Sequence, residues 1–192
     1  MLARLRYGET AMPLKVVAKS DVAPATAAYS PRDPLTAKEL RAIEVAVESA
    51  FLKLANLYQK IVPIFDEYGF TAPSAGVVAR DLSEKIETSI RQHTRTFTKG
   101  LAHCDLARFG KQWEVKVCKD TGLTINQSKV IAGENYIVVN YEDNSRVKRI
   151  WVLWEAQDGF FSPRKSNSNA RALNMRRAAS NIQVIYQAAR GD

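Results

Sequence analysis

Residues 105–127, DLARFGKQWEVKVCKDTGLTINQ, decide how the chain folds. Two runs of alternating apolar residues, 101–106 and 112–118, flank Arg108-Phe109-Gly110-Lys111, which reads as the turn of a β-hairpin. Centring the hairpin between Phe109 and Gly110 sets Asp105 opposite Glu114 and His103 opposite Lys116. Opposed residues share a sheet face, as do residues two apart on one strand. One face then carries His103, Asp105, Glu114 and Lys116. The other carries Cys104, Leu106, Trp113, Val115 and Val117, a face fit for a core. A slip of one residue would bury three charges, so the contrast between the faces fixes the register.

Two carboxylates facing each other across a hairpin repel unless a cation lies between them. Oxygen ligands suit a hard ion, and Mg²⁺ commonly takes one or two carboxylates with substrate phosphate and water. Lys116 has the reach to meet a phosphate or a metal-bound water. Together these groups would supply Lewis acidity, an activated water and a cation for developing charge, the needs of metal-assisted phosphodiester hydrolysis. The plainer alternative is an amphipathic hairpin whose Asp, Glu and Lys merely face water.

Asp105, followed after eight residues by Glu114-Val115-Lys116, resembles the motif of the PD-(D/E)xK nuclease superfamily, the restriction-endonuclease-like fold. The likeness covers roughly residues 74–141. It implies an α/β domain with a mixed central sheet flanked by helices. It also implies Mg²⁺, with Mn²⁺ as substitute, held by Asp105, Glu114 and the Val115 carbonyl, and a catalytic role for Lys116. Some members add an acid from the preceding helix, here Glu84 or Glu87, and a glutamine after the lysine, here Gln127. Cys104 stands where the family often has proline. Only residues 95–99 are available for the strand that precedes the aspartate.

The chain has 192 residues, 46% hydrophobic and 25% charged, which suits one globular domain and not a disordered segment. There is no run of 18 apolar residues, so no membrane span is expected. Residues 1–7 are basic but no apolar segment follows, so no signal peptide is expected. Cys104 and Cys118 would point to opposite faces and stay reduced, which fits a cytoplasmic protein. The net charge is +8. From residue 145 onward nine Arg and Lys stand against three acids, an excess of +6 that favours an anionic partner. Beside a phosphodiester-cutting motif, that partner is expected to be double-stranded DNA, contacted by Lys119, Arg164, Lys165, Arg171, Arg176 and Arg177.

Residues 1–35 read as an arm or linker and 36–192 as a single domain, with a helical addition at 36–70, the motif-bearing core at 74–141 and a basic part at 145–192. Thr36 and Glu39 form a capping box after Pro34, opening a helix over 36–65. Its stripe of Leu40, Ile43, Val47, Ala50, Leu54, Leu57 and Ile61 is an internal packing face or the seam of a homodimer. A second helix is expected over 74–97, with Val78, Leu82, Ile86, Ile90 and Phe97 on one side. Thr124 and Gln127 match another capping box, predicting a short helix that ends at Gly133. Strands are expected at 136–141, 147–155 and 182–186, and a basic helix at 169–180 with its arginines exposed. Phe160 and Phe161 are expected in the core.

The sequence therefore points to a Mg²⁺-dependent DNA endonuclease of the restriction-enzyme type. A nucleic-acid-binding module without turnover is the leading alternative, and an assembly protein using the long helix is a third.

Overall fold

The computed structural model describes residues 33–71, 75–101, 104–119, 122–126, 128–129, 131, 133–143, 146–164 and 168–188. The arm at 1–32, His103, Gln127 and Lys165 lie outside them, as does the side chain of Val78.

Thr36 caps helix α1 (Ala37–Glu67) as the capping box requires, its hydroxyl accepting from the Glu39 amide while the Glu39 carboxylate accepts from the Thr36 amide. Pro63 does not end the helix, which continues a further turn to Glu67 before Gly69 at φ 72°. Ile43, Val47 and Ala50 of the stripe are buried, Leu40 and Leu54 pack partly buried against the same core, and Leu57 is exposed, so the stripe packs internally as far as Leu54. Helix α2 (Ala75–His93) buries Leu82, Ile86 and Ile90. Phe97 of the expected face belongs instead to strand β1 (Phe97–Lys99).

Six strands form a mixed sheet in the order β1-β2-β3-β5-β6-β8. Strands β2 (Leu106–Arg108) and β3 (Lys111–Lys119) make the hairpin, pairing Leu106 with Trp113 and Arg108 with Lys111. That is the expected register as far as Leu106, where the ladder ends; Asp105 lies beyond it. The turn is tighter than the sequence suggested: only Phe109 (φ 49°) and Gly110 (φ 77°) lie in it, both left-handed, as in a type I′ turn. Strand β5 (Asn135–Asp143) runs parallel to β3, and β6 (Arg146–Leu153) and β8 (Ile182–Gln187) follow antiparallel. The β5 run from Tyr136 to Tyr141 is buried on both faces.

The helices cover one face of the sheet, where Leu106, Trp113, Val115 and Val117 join α1 and α2 in one core. Helix α1 is thus part of the domain core and not an appendage. Expected helices on the other face are replaced by a small antiparallel ribbon, β4 (Thr124–Asn126) with β7 (Ala170–Ala172). It seals a second core around Leu123, Ile125, Tyr136, Trp151 and Phe161.

Three sequence readings are corrected here. Of the expected strand at 101–106, Leu101, Cys104 and Asp105 are not strand: the Cys104 amide donates to the Leu101 carbonyl, and the strand begins at Leu106. Thr124 opens a strand and not a helix, because Ile125 buries against the second core and the Asn126 side chain turns back onto the Ser128 amide. Residues 169–180 are a strand, turns and a 3₁₀ turn; Asn174 accepts from the Arg176 and Arg177 amides, an Asx turn that competes with a helix. No helix among the described residues is long and apolar enough to cross a membrane.

Candidate active site

Strand β2 reaches only to Trp113 along β3, so the β3 edge beyond it is open. Asp105 docks there. Its amide donates to the Trp113 carbonyl (3.1 Å), and its Oδ2 accepts from the Val115 amide (2.8 Å). It thereby grips the two residues that flank Glu114. A strand residue directs its N–H and C=O to the same edge, so the Val115 carbonyl faces this opening too. Gly100 holds the loop that delivers Asp105: a Cβ there would lie 2.3 Å from the Cys104 carbonyl oxygen, so no side chain fits.

The open edge forms one wall of a groove of about 450 Å³, lined by Arg80, Ser83, Glu84 and Glu87 of α2 and by Asp105, Val115, Lys116 and Val117. Burial, then Asp105 and Glu84, push Glu87 up to about 8, against the opposing pull of Arg91 and Lys116. Burial also raises Asp105; the Val115 amide opposes this and Glu114 adds to it. The groove thus crowds carboxylates that resist sharing negative charge.

Glu114 and Lys116 do share a face, the one turned away from the helices, with Lys116 Nζ 2.9 Å from Glu114 Oε1. Asp105 differs from the expected shared face: it lies in the bend at the sheet edge and opens onto the groove, which Glu114 does not line. Glu114 is buried, and its second oxygen, Oε2, is held in very close contact by Lys129. Lys129 also lies 3.9 Å from Glu134 and 5.2 Å from the centre of the Tyr136 ring. Neither Lys129 nor Glu134 stood out in the sequence, because their link to Glu114 crosses a connection of irregular structure. Cys104 and Cys118 are free thiols, both raised chiefly by burial, so neither is an activated nucleophile.

The proposed phosphate contacts separate into two groups. Lys119, Arg164, Arg176 and Arg177 are exposed. Arg171 is not: its guanidinium is buried, bound to Asp158 Oδ1 (2.5 Å) and to the Ser162 and Asp158 carbonyls. A guanidinium so buried and committed is not presented to DNA; it pins the β7 segment to the 158–162 loop.

The groove donors are all oxygen: Asp105, Glu87, Glu84 and the Val115 carbonyl. That set and its crowded charge fit a hard divalent cation by chemistry. Among the described residues no three acids, histidines or cysteines converge closely enough to make a cage alone. Mg²⁺ does not require one, since water and substrate phosphate usually complete its shell. No protein-family model matches the chain, and no curated protein matches it.

The groove carries a pH signature. The Glu87 carboxyl ionises less readily in the folded chain than its ordinary value of 4.5, so folding is favoured below that pH and this contribution is lost as pH rises through about 8. Glu87→Gln is expected to stabilise the metal-free protein by roughly 2 kcal/mol at pH 9, screened by the open groove, and to change little at pH 4. Denaturant titrations at the two pH values check this; equal effects at both would show that Glu87 is not held protonated.

Proposed function

We propose that the protein is a metal-dependent nuclease of the restriction-endonuclease-like type that hydrolyses phosphodiester bonds in double-stranded DNA. The observation that carries this reading is Asp105 docked on the residues flanking Glu114, at an open strand edge beneath the acids of α2. The antiparallel run β1-β2-β3 with β5 parallel to β3 supports it. The connection from β3 to β5 departs from the family pattern, since its described residues hold β4 and no helix.

In this reading Asp105, the Val115 carbonyl and Glu87 hold the cation from the groove side, with Glu114 adjoining. When bound, the ion supplies Lewis acidity and lowers the pKa of water. Lys116 lines the groove and pairs with Glu114; the role proposed for its ammonium is to orient a water or offset charge developing on phosphate. Lys119, Arg164, Arg176 and Arg177 position the DNA backbone without reading its sequence. The test is incubation with supercoiled plasmid in Mg²⁺, Mn²⁺ or EDTA. Cleavage in the metals alone is the expected result; DNA binding without cleavage in any of them would establish the binding-module alternative.

Binding itself should depend steeply on salt. Each phosphate contact adds about 0.9 to the log–log slope on B-DNA, so three or four exposed basic residues give a slope near −3 to −4. Arg176→Glu with Arg177→Glu should weaken binding to all sequences alike and flatten that slope. A flat salt response in the unmodified protein would turn the basic segment toward some other partner.

A further inference from the structure

Glu114 and Glu134 are nearly withdrawn from water, their side chains 9% and 10% exposed. Two lysines balance them. Lys116 occupies Oε1 of Glu114, while Lys129 holds Oε2 and approaches Glu134. The two lysines differ in how firmly they are placed. Lys116 is a third exposed and lines the groove. Lys129 is more deeply covered, lies over the Tyr136 ring and has a carboxylate on either side.

We propose that Lys129 is a positioning residue: a built-in cation that fixes one oxygen of Glu114 and sits where it opposes a second cation at that carboxylate. Oε1, whose partner Lys116 is the more exposed of the two lysines, is then the oxygen of Glu114 left to exchange between that lysine and a divalent ion. This rests on the metal-dependent reading of the groove. Two carboxylates and two ammonium groups sum to zero, so the cluster is already neutral. A further cation at Glu114 meets the field of both lysines, and Lys129, which stays, sets the strength of that opposition. Lys129 offsets part of the cost of burying Glu114 and Glu134 beside a site that would bind a cation.

Ca²⁺ is the probe, followed by calorimetry and by thermal unfolding of the full chain with and without the ion. Lys129→Met should lower the melting temperature of the metal-free protein and regain more of it in Ca²⁺ than the unmodified protein gains. Its Ca²⁺ affinity should rise about 5- to 10-fold, the effect of removing one opposing charge in a partly solvated setting. Lys129→Arg should leave affinity unchanged. Glu134→Gln, which frees Lys129 to hold Glu114 more strongly, should move Ca²⁺ affinity the other way, and it serves if Lys129→Met does not fold. Loss of stability in these variants with Ca²⁺ affinity unmoved overturns the proposal and makes Lys129 a structural ion pair. That outcome leaves the metal reading intact, provided the unmodified protein binds Ca²⁺ and Asp105→Asn does not. Failure of the unmodified protein to bind Ca²⁺ overturns both.

Discussion

Asp105→Asn should lower metal-dependent plasmid cleavage by about 10²–10³-fold, the scale of losing one preorganised electrostatic group, while leaving the protein folded. The substitution is chosen for what it keeps. An amide oxygen can still accept from the Val115 amide, so the loop from Gly100 retains its anchor on β3. It removes the negative charge, which the groove tolerates poorly: burial raises Asp105 and the Asp105 charge in turn helps to raise Glu87. The variant should therefore be as stable as the parent, or slightly more so, near neutral pH, and Glu87 should titrate closer to its ordinary value. Loss of activity with stability kept identifies a residue of the chemistry. Loss of both would mean that the anchor was broken, and Asp105→Ser would then be uninformative as well. Cleavage at the parent rate would remove Asp105 from the mechanism and leave the acids of α2 without a role at the β3 edge.

How far the sequence foretold this arrangement depends on how local the deciding contacts are. The hairpin register was legible because Leu106, Trp113, Val115 and Val117 alternate with charged or polar neighbours, and a one-residue slip would bury those neighbours. The start of α1 was legible because Thr36 and Glu39 satisfy each other within one turn. The strand over 136–141 announced itself by an apolar run that only burial on both faces accommodates. Where the partner is remote, the pattern misled. Thr124 matches a capping box, yet the backbone of Ile125 pairs with Arg171, forty-six residues on, and becomes strand. Arg171 looks like a surface cation until Asp158 and the Ser162 carbonyl enclose it. Glu114 looks like a bare metal ligand until Lys129 arrives from the β4–β5 connection. Asp105 was read opposite Glu114 on one sheet face, but the ladder ends at Leu106 and Asp105 instead bonds Trp113 and Val115 at the sheet edge.

Replacing Arg108 should produce the largest loss of stability available from one polar side chain among the described residues. Arg108 is 4% exposed and donates to both oxygens of Glu39 (2.6 and 3.0 Å) and to the Asp33 and Pro34 carbonyls (2.7 and 3.0 Å). Its guanidinium also lies 4.5 Å from the Phe109 ring centre and 5.9 Å from that of Phe97. One side chain so ties the capping box of α1 to the hairpin that carries the candidate site. Arg108→Met removes the cation and leaves the Glu39 carboxylate buried with only the hydroxyls of Thr36 and Thr96 and the Thr36 amide. Breaking a buried pair from one side costs about 3–5 kcal/mol, and Arg108→Lys should recover little because it lacks the planar fork. Acid supplies the check on cause. Burial alone would raise Glu39, but its bonds to Arg108, Thr96 and Thr36 outweigh that and hold it at about 2, below its ordinary 4.5. A lowered carboxyl stabilises the fold above its unfolded value, and that contribution fades as pH falls from about 4.5 through 2. Without Arg108, burial raises Glu39. The stability gap between parent and Arg108→Met should therefore be widest at neutral pH and narrow continuously as acid protonates Glu39 first in the variant and then, near 2, in the parent, as followed by urea unfolding. A gap that persists undiminished at pH 2 would assign the loss to the stacking of Arg108 on Phe97 and Phe109 and not to the ion pair.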